Sequence, residues 1–143
     1  MRRAQTNLST SFLREILLLR VARQVLAPQA TPLRILSFGC SIGEELVTLR
    51  VLFPEAEIFG CDIDPLALKV AQARVGHLAN VFKSDEAAIA ARGPFDLICA
   101  FSSLCINPMP PAAVMQRQLP FSLFDDLVAT LDEPADRRAA LPA

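Results

Sequence analysis

The sequence of 143 residues lacks a dominant charge of either sign and any long apolar run. Fourteen basic residues face 15 acidic ones, which leaves a formal net charge of −1. This balance does not favour electrostatic binding to nucleic acid or to an anionic membrane. Although 52% of the residues are hydrophobic, no stretch approaches the roughly 20 apolar residues of a spanning helix. We therefore expect a cytoplasmic domain, although the arginine-rich N-terminus also fits an organelle transit peptide.

Histidine and closely spaced cysteines are scarce as well, and this excludes two kinds of site. His77 is the only histidine, and without a nucleophile elbow it does not indicate a Ser-His-Asp site. No two cysteines have the spacing of a zinc site, so no metal is expected. We predict free, reduced thiols for the four cysteines, which are Cys40, Cys61, Cys99 and Cys105.

Apolar strands alternate with helices over most of the chain. The predicted strands are residues 33–38, 57–61, 79–82 and 95–101, and the predicted helices are 11–26, 44–53, 64–75 and 85–91. Continuously apolar strands are typical of a parallel sheet that is covered on both faces. The pattern therefore predicts an α/β fold, a Rossmann-like parallel sheet with helices on both faces.

The character of the chain changes after residue 106, where strand signals end. We divide it into an N-terminal helical region, a core, a proline-rich loop, an amphipathic helix and a polar tail, at residues 1–34, 35–106, 107–120, 121–132 and 133–143.

The most informative segment is ILSFGCSIGEE, residues 35–45, in which a buried strand feeds a glycine turn that opens a helix. Backbone amides at a helix start are unpaired, and the dipole there favours negative groups. Gly39 and Gly43 lack a Cβ, so a ligand can approach the backbone. Asp62 ends the next strand, where a carboxylate can accept hydrogen bonds from both hydroxyls of a ribose. The pattern predicts a nucleoside site at the carboxyl edge of the sheet.

The loop spacing disfavours a dinucleotide, because a pyrophosphate clamp needs G-x-G-x-x-G and this loop reads G-C-S-I-G. The loop is similar instead to motif I of class I methyltransferases, which bind S-adenosylmethionine. It most resembles the S-A-G-C-S-T-G-E-E loop of the chemotaxis-receptor glutamate methyltransferases (CheR type). The residues identical to that loop at matching positions include Ser37, Cys40, Ser41, Glu44 and Glu45. Residues 62–71 and 95–98 resemble that family's D-I-D-x-x-x-L-x-x-A and the F-D-L-I of many methyltransferases.

The resemblance implies S-adenosylmethionine as the cofactor and a role for each matching residue. The cofactor-binding residues it implies are Gly39, Cys40, Ser41, Gly43, Glu44, Asp62, Ile63, Asp85 and Phe101. The glycine loop would lie under the methionine part, with Glu44 or Glu45 holding its ammonium; either glutamate also fits an ordinary first-turn carboxylate.

The same resemblance implies the nucleoside and methyl ends of the site. Asp62 would bind the ribose, Ile63 would lie against the adenine, and Asp85 would meet the adenine amino group or serve only as a helix N-cap. Phe101 and Ser102 would line the pocket near the methyl group. The chain has these two residues where the receptor methyltransferases have an Arg-Asn pair, so methylation of receptor glutamates is not expected.

The full methyltransferase fold has seven strands, whereas this sequence predicts about four, in the order 3-2-1-4. The fourth strand would then be an exposed apolar edge. We expect a truncated form, or one completed by a homodimer or another partner covering that edge. Asn107-Pro108 lies too far from Asp96 for the N-P-P-Y-like motif of amino-group methyltransferases.

The predicted function is methyl transfer from S-adenosylmethionine to an unknown acceptor, with catalytic residues unknown. Two alternatives stay open. The first is a non-catalytic S-adenosylmethionine-binding or degenerate Rossmann-like module, and the second is a fragment of a nicotinamide-dependent oxidoreductase.

Overall fold

A computed structural model describes residues 12–13, 15–26, 32–101 and 129 of the chain. The helices and strands in chain order are α1 (Ile16–Leu26), β1 (Arg34–Phe38), α2 (Glu44–Leu52), β2 (Glu57–Asp62), α3 (Pro65–Val75), β3 (Asn80–Lys83), α4 (Glu86–Ala90) and β4 (Leu97–Cys99). The loop predicted at 107–120 and the tail predicted at 133–143 lie outside the described residues. The same holds for the helix predicted at 121–132, apart from residue 129.

The four strands form one parallel sheet in the order β3-β2-β1-β4. The predicted order and the predicted parallel sense are both confirmed. In the register of the sheet, Ser37 of β1 lies between Gly60 of β2 and Cys99 of β4. Because the chain reverses its winding direction from β1, the crevice between β1 and β4 is the topological switch point, where open α/β sheets bind ligands.

Helices cover both faces of this sheet, as predicted. Successive residues of a strand point to opposite faces, and Ile35 and Leu36 of β1 accordingly enter two different apolar clusters. The first cluster joins the sheet to α1, α2 and α3 through Leu19, Leu46 and Val75. The second contains Phe38, Phe59, Cys61 and Phe82 of the strands with Ile89 of α4. Side chains buried on both faces explain why the strands read as continuous apolar runs.

Two elements, α1 and β4, differ from the sequence-based prediction by more than one residue at an end. Helix α1 begins at Ile16 rather than at residue 11, because Leu13 and Glu15 have positive φ angles of 58° and 53°, which a right-handed helix does not allow. Strand β4 is confined to residues 97–99. Just before it, Asp96 uses its amide and its carboxylate to bind the main chain of Arg34, at 2.8 and 2.7 Å.

The start of α3 has a capping aspartate that is followed by a proline. Asp64 is the N-cap, and its Oδ1 accepts hydrogen bonds from the amides of Leu66 and Ala67 at 2.9 and 3.2 Å. Pro65 occupies the first helical position, where the lack of an N–H costs nothing. This cap fixes the direction in which the chain leaves β2, and so it positions the end of that strand.

Candidate functional site

The turn from β1 into α2 is a tight loop with three residues in the left-handed region. Gly39, Ser41 and Gly43 have φ angles of 80°, 50° and 92°. Glycine adopts this conformation freely, whereas another L-residue there loses about 1–2 kcal/mol. The amides of Gly39 and Cys40 both donate to the carbonyl oxygen of Cys61, at 2.8 and 2.9 Å. The loop is therefore fastened to the end of β2.

Asp62 joins this loop to the turn that follows β2. Its Oδ2 accepts a hydrogen bond from the Ser41 amide, and its Oδ1 accepts one from the Asp64 amide, both at 2.9 Å. The residue is only 9% exposed. Because a carboxylate offers about four lone-pair positions, these two bonds leave acceptor capacity on both oxygens. Asp62 is thus held rigidly with capacity to accept two further donors.

Glu45 lies over the switch point between β1 and β4. The hydroxyl of Ser37 donates to Glu45 Oε1 at 2.7 Å. The pKa of Cys99 on β4 is raised to about 12, mainly by burial and in second place by the charge of Glu45. The carboxylate therefore lies near both strands that border the crevice. The sequence prediction gave Ser37 no role; its signal was a polar residue within the apolar stretch 35–38, two positions before Gly39.

Glu44, the other glutamate of this turn, carries a buried acceptor. Its Oε2 is fully buried and accepts no hydrogen bond within the described part of the chain. A buried polar atom without a partner is costly, so a donor from a ligand would stabilise it. The main-chain oxygen of Glu44 accepts from the Thr48 hydroxyl at 3.3 Å, and that hydroxyl accepts from the Leu13 amide at 3.1 Å. The segment before α1 is therefore fastened to the first turn of α2.

Gly43 has a packing role that the sequence did not indicate. A Cβ at this position would lie 2.5 Å from Val75 Cγ2 and 3.5 Å from Ala71 Cβ, both on α3. The missing side chain therefore makes room for α3. Its φ of 92° at the N-cap of α2 is the second reason for a glycine here.

Three further predicted site residues follow the other strands at the same edge of the sheet. Ile63 comes directly after β2 and is partly buried, and Asp85 follows β3. Asp85 is exposed, and its Oδ1 accepts from the Ala88 amide at 2.8 Å, so it is the N-cap of α4. Phe101 follows β4 and contacts the first apolar cluster. Ser102 and Asn107-Pro108 lie outside the described residues.

The thiols of the site are buried and uncharged at neutral pH. Burial, followed by the charge of Asp62, raises the pKa of Cys40 far above its ordinary value. Burial also raises the pKa of Cys61 to about 12, although a hydrogen bond with Ser84 acts in the opposite direction. Neither cysteine is therefore a nucleophile at neutral pH.

We predict that Cys40, Cys61 and Cys99 react with a maleimide at least about a hundredfold more slowly in native buffer than in urea. A raised pKa keeps a thiol protonated and therefore unreactive. The contribution of these thiols to the free energy of unfolding is present below their unfolded-state pKa and decreases as the pH rises above it. Peptide mass mapping after timed labelling measures each cysteine separately, with the urea-unfolded chain as the reference. Labelling of Cys40 at the same rate in both states would contradict its burial.

The parallel sheet in the order β3-β2-β1-β4, with a glycine turn and a strand-end aspartate, has the Rossmann-like methyltransferase fold. A family model described as "Methyltransferase domain" matches residues 35–119, which is more than half of the chain. The chain therefore belongs to the methyltransferase domain family.

Solved structures of low sequence identity resemble part of this chain. The plantazolicin methyltransferase BpumL in complex with SAH is 23% identical, with a TM-score of 0.46 over 57% of this chain and 31% of that chain. Residues 942–1257 of the StiE O-MT are 22% identical, with a TM-score of 0.47 over 65% of this chain and 35% of that one. The chain spans about a third of the length of these structures. A comparison with curated proteins found no significant match.

In the ranges that the structure describes, no helix is long and apolar enough to cross a membrane.

Proposed function

We propose that the chain forms the S-adenosylmethionine-binding part of a methyltransferase whose acceptor is not identified. The observation that carries this proposal is the Asp62 carboxylate, which is held by the amides of the glycine loop and of the next turn with capacity for two more donors. Membership of the methyltransferase domain family supports the same cofactor. When bound, S-adenosylmethionine supplies a methyl group already activated by its sulfonium, so the protein mainly provides alignment.

The nucleoside end of the cofactor belongs at β2 and β3. Asp62 has an open acceptor position for each of the two ribose hydroxyls, which a carboxylate at the end of this strand is suited to bind. Ile63 would offer apolar contact to the adenine. Asp85 follows the neighbouring strand β3, but one of its oxygens already caps α4. Its contact with the adenine amino group would have to use the remaining acceptor capacity.

The methionine end belongs at the crevice between β1 and β4. There the Ser37 hydroxyl fixes the Glu45 carboxylate, which would bind the ammonium group of the methionine. Gly39, Cys40 and Ser41 would lie beneath, with Phe101 after β4 at the methyl end. Glu44 is the second candidate for the ammonium, because its buried Oε2 accepts no hydrogen bond within the described residues.

We expect Glu45→Gln to weaken S-adenosylmethionine binding by about 10–100-fold, because one hydrogen bond to a charged partner contributes roughly 1.5–3 kcal/mol. The matched variant Glu44→Gln should have a smaller effect, because the side chain of Glu44 is not held over the crevice by Ser37. Calorimetry with both variants gives the ranking, and thermal unfolding checks that each is folded. A larger effect from Glu44→Gln would assign the ammonium to Glu44 instead.

The acceptor, the partner and the location of the protein are further proposals. The match of the glycine loop to the receptor glutamate methyltransferases supports a relationship to that group. A homodimer or another partner could complete the site. Cysteines that are free and buried in the described chain support a cytoplasmic location.

The proposal is tested by thermal unfolding with S-adenosylmethionine, S-adenosylhomocysteine and NADH in parallel. We expect the first two to raise the midpoint by several degrees at about 100 times their Kd, which corresponds to roughly 2.7 kcal/mol, and NADH to leave it unchanged. Stabilisation by NADH alone would favour the oxidoreductase alternative. Binding without methyl transfer to any of a panel of oxygen, nitrogen and sulfur acceptors would favour the non-catalytic module.

A further inference from the structure

Ser37 is a polar residue that has no access to solvent. It is 0% exposed, and in the register of the sheet it lies between Gly60 and Cys99. Alternate residues of a strand share a face, so its side chain points to the same side as Ile35, toward the apolar cluster that α2 covers. A buried hydroxyl needs a hydrogen-bond partner, and Ser37 donates to Glu45 Oε1 at 2.7 Å. Because Ser37 is fully buried, it can act on a ligand only through Glu45.

The two glutamates in the first turn of α2 point in different directions. Consecutive residues of a helix lie about 100° apart around its axis. Glu45 is four residues before the fully buried Leu49, which places it on the face that packs against the sheet. Glu44 is four residues before Thr48, whose hydroxyl accepts a hydrogen bond from the Leu13 amide. Of the two side chains, Glu45 is therefore the one directed at the strands that border the crevice.

The charge of Glu45 reaches the residues around this crevice. Burial is the main cause that raises the pKa of Cys99 on β4 and of Cys40 in the glycine turn, and the charge of Glu45 contributes to both. Both thiols are uncharged at neutral pH, as is the Ser37 hydroxyl. The carboxylate thus supplies a negative charge among the strand ends and the glycine turn, and this charge would attract the ammonium group of a ligand.

We propose that Ser37 is a positioning residue that makes this site selective for ligands with an amino-acid end, and this inference rests on the proposed function. By donating to Oε1, the hydroxyl keeps the Glu45 carboxylate over the crevice before a ligand arrives. A glutamate side chain without such a bond samples several rotamers, and its ordering on binding would weaken the affinity. The adenosine end of the ligand belongs at β2 and β3, so Ser37 affects the methionine end alone.

Calorimetry with two ligands tests this role. S-adenosylhomocysteine has both the adenosine and the amino-acid end, whereas 5′-deoxy-5′-methylthioadenosine has the adenosine without the amino-acid end. We expect Ser37→Ala to weaken binding of the first ligand about five- to tenfold and to leave binding of the second unchanged. Ser37→Cys has a side chain of similar shape but only a weak donor, and it repeats the test if Ser37→Ala is not folded by circular dichroism.

Ser84→Ala is the matched control. Ser84 is also a buried serine, but its side chain forms a hydrogen bond with Cys61 of the second apolar cluster, so the variant should keep the wild-type ratio of the two affinities. A second control uses the Glu45→Ala background, in which Ser37→Ala should cause no further loss for either ligand, because the hydroxyl has no carboxylate left to hold.

The ratio of the two affinities decides the outcome. Equal losses for both ligands in Ser37→Ala would indicate a general structural role and would overturn the proposal. Unchanged binding of S-adenosylhomocysteine in that variant, or a further loss in the Glu45→Ala background, would overturn it as well. A folded wild-type chain that binds neither ligand would contradict the proposed function itself, and the positioning role with it.

Discussion

The Asp62→Asn variant should bind S-adenosylmethionine at least about a hundredfold more weakly than the wild type. Each hydrogen bond from a ribose hydroxyl to a carboxylate contributes about 1.5–3 kcal/mol, and the substitution removes the charge and one of the two acceptor oxygens. The new amide group would also face the N–H of either Ser41 or Asp64, where Asp62 now accepts a hydrogen bond from each. Part of the loss in affinity would therefore come from displacement of the glycine loop. Isothermal titration calorimetry measures it directly.

Asp64→Asn is the matched control for this experiment. Asp64 is the same residue type two positions away, and its side chain caps α3 through the amides of Leu66 and Ala67. Asparagine is as good an N-cap as aspartate, so this variant should fold normally and bind within about threefold of the wild type. Equal losses in the two variants would mean that the turn as a whole, rather than the Asp62 carboxylate, is responsible for binding.

The Gly43→Ala variant should lower the free energy of unfolding by about 3 kcal/mol. The φ of 92° makes any side chain unfavourable by about 1–2 kcal/mol. The new Cβ would also lie 2.5 Å from Val75 Cγ2, and overpacking of this kind costs about 1–3 kcal/mol. This loss is a large part of the stability of a small domain. Urea unfolding followed by circular dichroism gives the value.

The double variant Gly43→Ala/Val75→Ala separates the two causes. Val75→Ala alone should destabilise the chain, because Val75 is buried. In the double variant the contact with Val75 is relieved while the backbone strain persists. The double variant should therefore lose less free energy of unfolding than the two single variants lose together. Full additivity would show that α3 does not approach Gly43 as closely as the structure has it.

The sheet and its order could be predicted because local signals agree with the tertiary structure. Ile35 and Leu36 point to different faces of the sheet and both are buried, and such a strand is continuously apolar. The start of α3 was equally clear, because the cap and the proline are adjacent in the sequence. Asp62 was predicted at the correct edge because parallel strands end side by side.

The start of α1 could not be predicted in the same way. Apolar residues continue upstream of Ile16, so the helical period does not indicate where the helix begins. The helix is interrupted by the positive φ angles of Leu13 and Glu15. A hydrogen bond from the Leu13 amide to Thr48 on another helix accompanies this turn. Contacts between residues 35 positions apart leave no trace in a local pattern.

The sequence indicated candidate residue types for the site but not the contacts among them. The two glutamates after the glycine turn were equivalent in the sequence, and in the structure the hydrogen bond from Ser37 distinguishes Glu45. For Gly43 the sequence indicated access for a ligand to the backbone, but it did not indicate that Ala71 and Val75 of α3 are its neighbours. Both facts depend on how α2 is oriented on the sheet, which residue spacing does not specify.

Calorimetric titration of the wild-type chain with S-adenosylhomocysteine decides whether the carboxyl edge of this sheet binds S-adenosylmethionine. This ligand has the same adenosine and amino-acid ends and does not transfer a methyl group during the measurement. We expect one site per chain with a Kd of about 1–100 µM. A chain that is folded by circular dichroism and gives no binding heat at any temperature tested would contradict it.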